Sequence, residues 1–165
     1  MGMQSDYEKN PSFFVDAMLG NIAKKLRLMG YDSKYEADIG DDDLINSAQK
    51  DLRIIISRDE NLIKKASKFG IESIFLEKQE EIKQFHEIIN RLGLKSIKIN
   101  GDNARCSLCN SETNPIEKHN ISDKIPAKVL EKNKKFWKCK NCGKIFWEGS
   151  HIANLQKFVS ELNER

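Results

Sequence analysis

The apolar positions of this chain fall into two alternating periods. Phe13-Phe14-Val15 is a short continuous apolar run, which predicts a buried strand ending at Asp16. Met18, Leu19, Ile22, Ala23, Leu26 and Met29 then recur at helical spacing, with Asn21, Lys24, Lys25 and Arg27 on the other face. Gly30 stands where a glycine ends a helix, and a second short strand is expected within Tyr31 to Tyr35. Asp41 reads as the N-cap of a helix whose first turn holds Asp42 and Asp43 and whose apolar side is Leu44, Ile45 and Ala48. Arg53-Ile54-Ile55-Ile56-Ser57 is β-branched and continuously apolar, as a parallel strand buried on both faces must be. Leu62, Ile63, Ala66 and Phe69 mark the next helix, Ile71 to Leu76 the next strand, and Ile82, Phe85, Ile88, Ile89 and Leu92 a further helix closed by Gly93.

Strands that alternate with helices through short connections predict an α/β body with a parallel sheet between helices. The pattern fades near Lys95, where the composition changes. The expected organisation is a leader over residues 1–11, a body over 12–94, a cysteine-bearing unit over 95–150 and a C-terminal helix over 151–165 packing back on the body. Residues 113–132 are expected to form a loop. No apolar run is long enough to cross a membrane, and the polar first eleven residues give no secretory signal, so a cytoplasmic address is expected.

Charge separates the two parts further. Residues 1–94 carry 14 Lys and Arg against 17 Asp and Glu, whereas residues 95–145 carry 12 against 5. A basic segment beside an acidic body points to a polyanionic partner such as nucleic acid, although lysine-rich loops are also found simply solvated.

All four cysteines lie in two pairs, Cys106-x-x-Cys109 and Cys139-x-x-Cys142. In a cytosolic chain, two such knuckles supply four thiolates for a closed structural Zn²⁺ site; iron is the alternative ion. Phe136-Trp137-Lys138 and Lys144-Ile145-Phe146-Trp147 flank the second knuckle as two strands of a ribbon.

Asp16, Asp41 and Asp59 fall where strands end and helices begin. Open α/β sheets gather ligands at the carboxyl ends of their strands. Taken singly, each aspartate reads as a helix cap; taken together, three hard oxygen donors at one edge suit Mg²⁺ or Mn²⁺.

These residues resemble a known family. Phe14-Val15-Asp16-Ala17-Met18-Leu19-Gly20 with Ala23-Lys24-Lys25-Leu26-Arg27-Leu28-Met29-Gly30-Tyr31-Asp32 resembles the opening of the Mut-seven C-terminal ribonuclease domain, a PIN-like family. Asp41-Asp42-Asp43-Leu44-Ile45 with Ala48 is similar to its second motif. Ile55-Ile56-Ser57-Arg58-Asp59 is similar to its third, with Ser57 in place of the usual Thr. Cys139 to His151 resembles the family's zinc-ribbon ending. The resemblance covers about residues 12–155. It implies a PIN-like three-layer α/β/α parallel sheet followed by a small zinc ribbon, with Asp16, Asp41 and Asp59 as the catalytic acids. Many PIN-like enzymes carry a further acid just beyond the third, where this chain has Glu60 and the neutral Asn61.

The expected function is a Mg²⁺- or Mn²⁺-dependent ribonuclease with a structural zinc held by Cys106, Cys109, Cys139 and Cys142. The resemblance implies products with 5′-phosphate and 3′-hydroxyl ends. Lys24, Lys25, Arg27, Arg58, Lys134, Lys135, Lys138 and Lys140 are the candidate contacts to a single-stranded RNA. The competing reading is a catalytically inactive PIN-like module that binds RNA or a ribosome through the ribbon.

Overall fold

A computed structural model describes residues 10–94 and 97–164 of the chain. Most of the expected leader, the expected boundary at Lys95 and the side chain of His151 lie outside the described residues. Four short strands, β1 (Phe13–Val15), β2 (Ser33–Tyr35), β3 (Ile54–Ser57) and β4 (Ser73–Phe75), pair in parallel in the order β2-β1-β3-β4. Between them run α1 (Gly20–Leu28), α2 (Asp41–Asp51) and α3 (Glu60–Lys68); α4 (Glu81–Leu92) follows β4.

Side chains that alternate along a strand point to opposite faces of its sheet. Phe13, Val15, Ile54 and Ile56 accordingly pack with Ile22 and Leu26 of α1 and Phe85 and Ile88 of α4. Phe14 and Ile55 face the other way, onto Leu44, Ile45 and Ala48 of α2 and Leu62 and Ala66 of α3. Each of these large apolar side chains contributes about 1.5–3 kcal/mol by leaving water. The expected three-layer arrangement is therefore present.

Local detail departs from the sequence pattern in three places. Ala17–Leu19 forms a 3₁₀ turn before α1, which shifts the helical phase and leaves Met18 77% exposed instead of on the apolar face. Gly40, not Asp41, caps α2, and Asp41 is its first helical residue. Phe69 is exposed at the end of α3.

The basic segment folds as a three-stranded antiparallel sheet, β5 (Thr113–Ile116), β6 (Phe136–Cys139) and β7 (Ile145–Trp147), in the order β5-β6-β7. The loop expected over 113–132 is corrected: it contains β5 and the short helix α5 (Ala127–Lys132). Pro115 sits within β5, which is tolerable because β5 is an edge strand and proline has no N–H to give. The last helix, α6 (Ser150–Glu164), returns to the body, where Phe158 meets Phe85 edge-on and Val159 and Leu162 enter the core shared by β1 and β3. Among the described residues no helix is long and apolar enough to cross a membrane.

The small sheet is joined to the segment that leads into it through Trp137, which is buried and donates its indole N–H to Asp102 at 2.9 Å. Its six-membered ring covers Gly101 so closely that a Cβ there would lie 2.3 Å from ring carbons. Gly101→Ala is expected to destabilise the protein by about 1–3 kcal/mol, the usual result of overpacking a well-filled contact. Urea unfolding followed by tryptophan emission measures it; an unchanged midpoint would mean that Trp137 moves aside without cost.

Candidate functional site

The four cysteines converge. Cys106 and Cys109 form a knuckle ahead of β5, and Cys139 and Cys142 a second between β6 and β7. Their four sulfurs all lie within 4.8 Å of one another, with Cys106 and Cys142 3.7 Å apart and Cys109 and Cys139 3.4 Å apart. Tetrahedral Zn²⁺ with bonds of about 2.3 Å separates its sulfurs by roughly 3.8 Å, so the cluster fits that ion. Burial pushes the Cys106 thiol up to about 12. Burial also works against the Cys109 thiolate, but hydrogen bonds from Ser111, Asn141 and Cys139 outweigh it and bring that thiol down to about 5.

Each knuckle needs a backbone turn with positive φ after its second cysteine. Gly143 supplies it after Cys142 at φ 77°, and Asn110 after Cys109 at φ 70°. Asn110 does more than turn. Its side-chain oxygen accepts the backbone N–H of Ser33 on the edge strand β2 at 2.9 Å, and its amide nitrogen donates to Asp32 at 2.6 Å. Asp32 also receives Arg53 at 2.7 Å. Burial works against the Asp32 charge, yet the hydrogen bonds from Arg53 and Asn110 hold its carboxyl below the usual range. Arg27 completes the junction: it is 6% exposed and donates to the carbonyls of Ser33 at 2.8 Å and Ser107 at 2.9 Å. Its place as an exposed RNA contact is thereby corrected, because the guanidinium is buried between sheet and knuckle.

At the other end of the parallel sheet, β1 and β3 deliver Asp16 and Asp59. Asp16 receives the backbone N–H of Ala17 at 2.8 Å on one oxygen and the hydroxyl of Ser57 at 2.7 Å on the other. The same Ser57 oxygen accepts the backbone N–H of Asp59 at 2.9 Å. Asp59 caps α3, accepting from the backbone of Asn61 at 2.9 Å. Asp41, in the first turn of α2, has its pKa raised by burial and then by the charges of Asp59 and Asp16, with Lys65 opposing. The three aspartates therefore share one edge and repel one another. The metal-ligating side chains that converge among the described residues are the four cysteines, whose sulfurs all lie within 4.8 Å of one another.

With this geometry in place, the whole chain can be assigned. Residues 11–159 match the family described as the Mut7-C RNAse domain. The chain belongs to that family. Comparison with curated proteins and with solved structures gives no match.

The remaining basic residues expected at an RNA interface divide into two groups. Lys24, Lys134 and Lys135 are exposed, and Arg58 and Lys138 are half-buried. Lys25 is paired with Glu81 at 2.6 Å and Lys140 with Glu112 at 3.0 Å. Phe136 and Trp137 are buried, so they belong to the packing of the small sheet, whereas Phe146 and Trp147 keep part of their surface open. His86 of α4 is half-buried, with a buried Nε2 that has no partner among the described residues. Two residues that matter here carry only faint signals in the sequence. Ser57 stands in a strand-end motif but its bridging hydroxyl follows from the β1–β3 register. Asn110 occupies the knuckle position that Gly143 holds in the second pair, which is the one clue to its backbone.

Purified protein is expected to hold about one zinc per chain, measured by elemental analysis without added metal; absence of both zinc and iron would refute the site. Asn110→Gly keeps the positive φ while removing the bonds to Ser33 and Asp32. It should retain metal yet lose about 1–3 kcal/mol of stability in urea, the cost of an unpaired buried amide. Since the folded pKa of Asp32 is depressed, its contribution is present above the unfolded value and lost as pH falls through the folded one. An Asp32→Asn protein should lack that acid-limb loss in a stability–pH profile.

Proposed function

We propose that the protein is a metal-dependent ribonuclease whose active site is Asp16, Asp41 and Asp59. The observation that carries the proposal is the Ser57 hydroxyl, which ties Asp16 to the backbone of Asp59 across neighbouring strands. Membership of a ribonuclease-domain family supports the substrate class. The donor set fits a hard divalent cation: three carboxylates, charged alike, gathered at a sheet edge. Bound there, Mg²⁺ or Mn²⁺ would supply Lewis acidity towards the scissile phosphate and a water of lowered pKa.

The chain's own residues have separable tasks. Ser57 and the Ala17 N–H fix both oxygens of Asp16, so its carboxylate is oriented before substrate arrives. Asp59 is held by the N-terminus of α3, whose dipole favours its charge. Asp41 has its pKa raised by burial and by the charges of Asp59 and Asp16, and a bound cation would favour its charged form. Arg58, between Ser57 and Asp59, can meet a phosphate. The neutral Asn61 just beyond Asp59 favours one alternative reading, an RNA-binding module without hydrolysis. Cleavage of labelled single-stranded RNA titrated with Mg²⁺ and Mn²⁺ distinguishes the two.

Asp59→Asn should abolish cleavage while leaving the fold, because asparagine caps helices as well as aspartate does. Wild-type rates in that variant, with contaminating nuclease excluded, would sink the active site. For Asp41 the sign runs the other way from Asp32. A carboxyl with a raised folded pKa binds its proton more tightly in the folded state, so its ionisation lowers stability as pH rises through that range. Asp41→Asn should therefore melt no lower than wild type at neutral pH without metal and lose that advantage in acid, a comparison made by thermal unfolding at several pH values.

A further inference from the structure

A groove runs between the body and the small sheet, away from the carboxylates. Its walls are Lys24 and Leu28 of α1, Leu108 of the first knuckle, and Lys144, Phe146 and Trp147 at β7. Leu108 is 59% exposed, and the rings of Phe146 and Trp147 are partly open. The Lys144 ammonium lies 5.1 Å from the centroid of the Phe146 ring. Gly149 keeps one edge of the indole clear, since a Cβ there would come within 3.0 Å of the Trp147 ring nitrogen. Among the described residues, two lysines line the groove and no carboxylate does.

We propose that this groove binds single-stranded RNA by stacking bases on Phe146 and Trp147 while Lys24 and Lys144 meet the flanking phosphates. The proposal rests on the ribonuclease reading for its choice of polyanion and extends it to a second contact region. An apolar peptide would match the rings and Leu108 but would leave both lysines without counter-charges. A nucleic acid strand satisfies both, because every base offers a π-face and every linkage an anion. A phosphate that meets Lys144 brings its base to the ring on which Lys144 already rests. The groove also joins the two parts of the site: Lys24 lies on the helix that follows Asp16, about one turn from that helix's start. RNA held here is carried along α1 towards the acids, whose own charge would otherwise repel it.

The two tryptophans make the test direct. Trp137 is 3% exposed and Trp147 lines the groove. In the Asp59→Asn protein without divalent metal, a twelve-nucleotide single-stranded RNA should quench the Trp147 emission, and an abasic oligomer of the same length should not. Phe146→Leu keeps the apolar bulk and should weaken RNA binding by about 5- to 150-fold, the usual effect of losing one stacked base. Should that variant fold poorly, the exposed pair Lys24→Ala with Lys144→Ala serves instead. It should lower the slope of log affinity against log salt by about 1.4, as two lost phosphate contacts on a single strand predict. RNA binding with unchanged emission and unchanged affinity in these variants overturns the groove. Equal quenching by the abasic oligomer overturns stacking, and quenching by an amphipathic peptide but not by RNA makes the groove a protein-docking surface and overturns the proposal. Wild-type cleavage is measured alongside. Cleavage that survives in variants with normal groove emission sinks the groove alone, whereas intact groove binding with no metal-dependent cleavage sinks the nuclease alone.

Discussion

The edge of the parallel sheet is closed by a side chain from a metal knuckle. An edge strand leaves a row of backbone groups unpaired, and proteins cover or disrupt such edges. Here the Ser33 N–H of β2 is taken by Asn110, and the neighbouring Ser33 carbonyl by Arg27. Asn110 can reach it because the knuckle turn forces that residue into a positive φ directly after Cys109. The ordering of the cysteines and the closure of the sheet are thus one event seen from two sides. Arg27 strengthens the link: burial lowers its pKa, while the neighbouring Cys106, Cys109 and Asp32 favour its charge. Its cation is placed where a tetrathiolate metal site, with its surplus negative charge, most needs one. From β2 the constraint passes to β1 through their paired register, and β1 ends at Asp16.

The two donor sets differ in chemistry. Four sulfurs drawn within 4.8 Å form a soft, closed shell that leaves no position for substrate. The aspartates form a hard, open set at the opposite end of the strands. Asp41 has its pKa raised by burial and then by the charges of Asp59 and Asp16, and the other two are tied down by backbone N–H groups and by Ser57.

What the sequence made legible was whatever lives in short-range pattern. The run Ile54-Ile55-Ile56 announces β3 because a parallel strand buried on both faces has no polar alternation to disguise it. The cysteine spacing announces its cluster for the same reason, since the knuckle is a local turn. The body strands and helices follow from period alone. Arg27 could not be read this way: helical periodicity places it among lysines, and only contact with Ser107, eighty residues on, makes a buried arginine tolerable. Met18 was misplaced because a 3₁₀ turn changes the angular step between residues. β5 was missed because Thr113-Asn114-Pro115-Ile116 has no strand pattern of its own and is strand only by pairing with β6. The acids were legible as strand-end residues; the Ser57 bridge between two of them was not, because it depends on which strands are neighbours.

The return of α6 explains why the small sheet can present a surface jointly with the body. Val159 and Leu162 share a core with Phe13 and Val15 from the first strand, and Asn163 both accepts from and donates to the backbone of Ile97. The cysteine-bearing unit is thus an excursion whose two ends are fastened to the same body, and its middle is fastened again where Asn110 meets Ser33 and Arg27 meets Ser107. A unit tethered at one end would sample many orientations, and any ligand spanning it and the body would have to bear the cost of ordering them. Fastened at both ends and at the middle, the small sheet sets β7 beside α1 before any ligand arrives. The Lys24 side and the Phe146 side of the groove are then pre-organised relative to each other, which is the condition for stacking and phosphate contacts to act on one strand together.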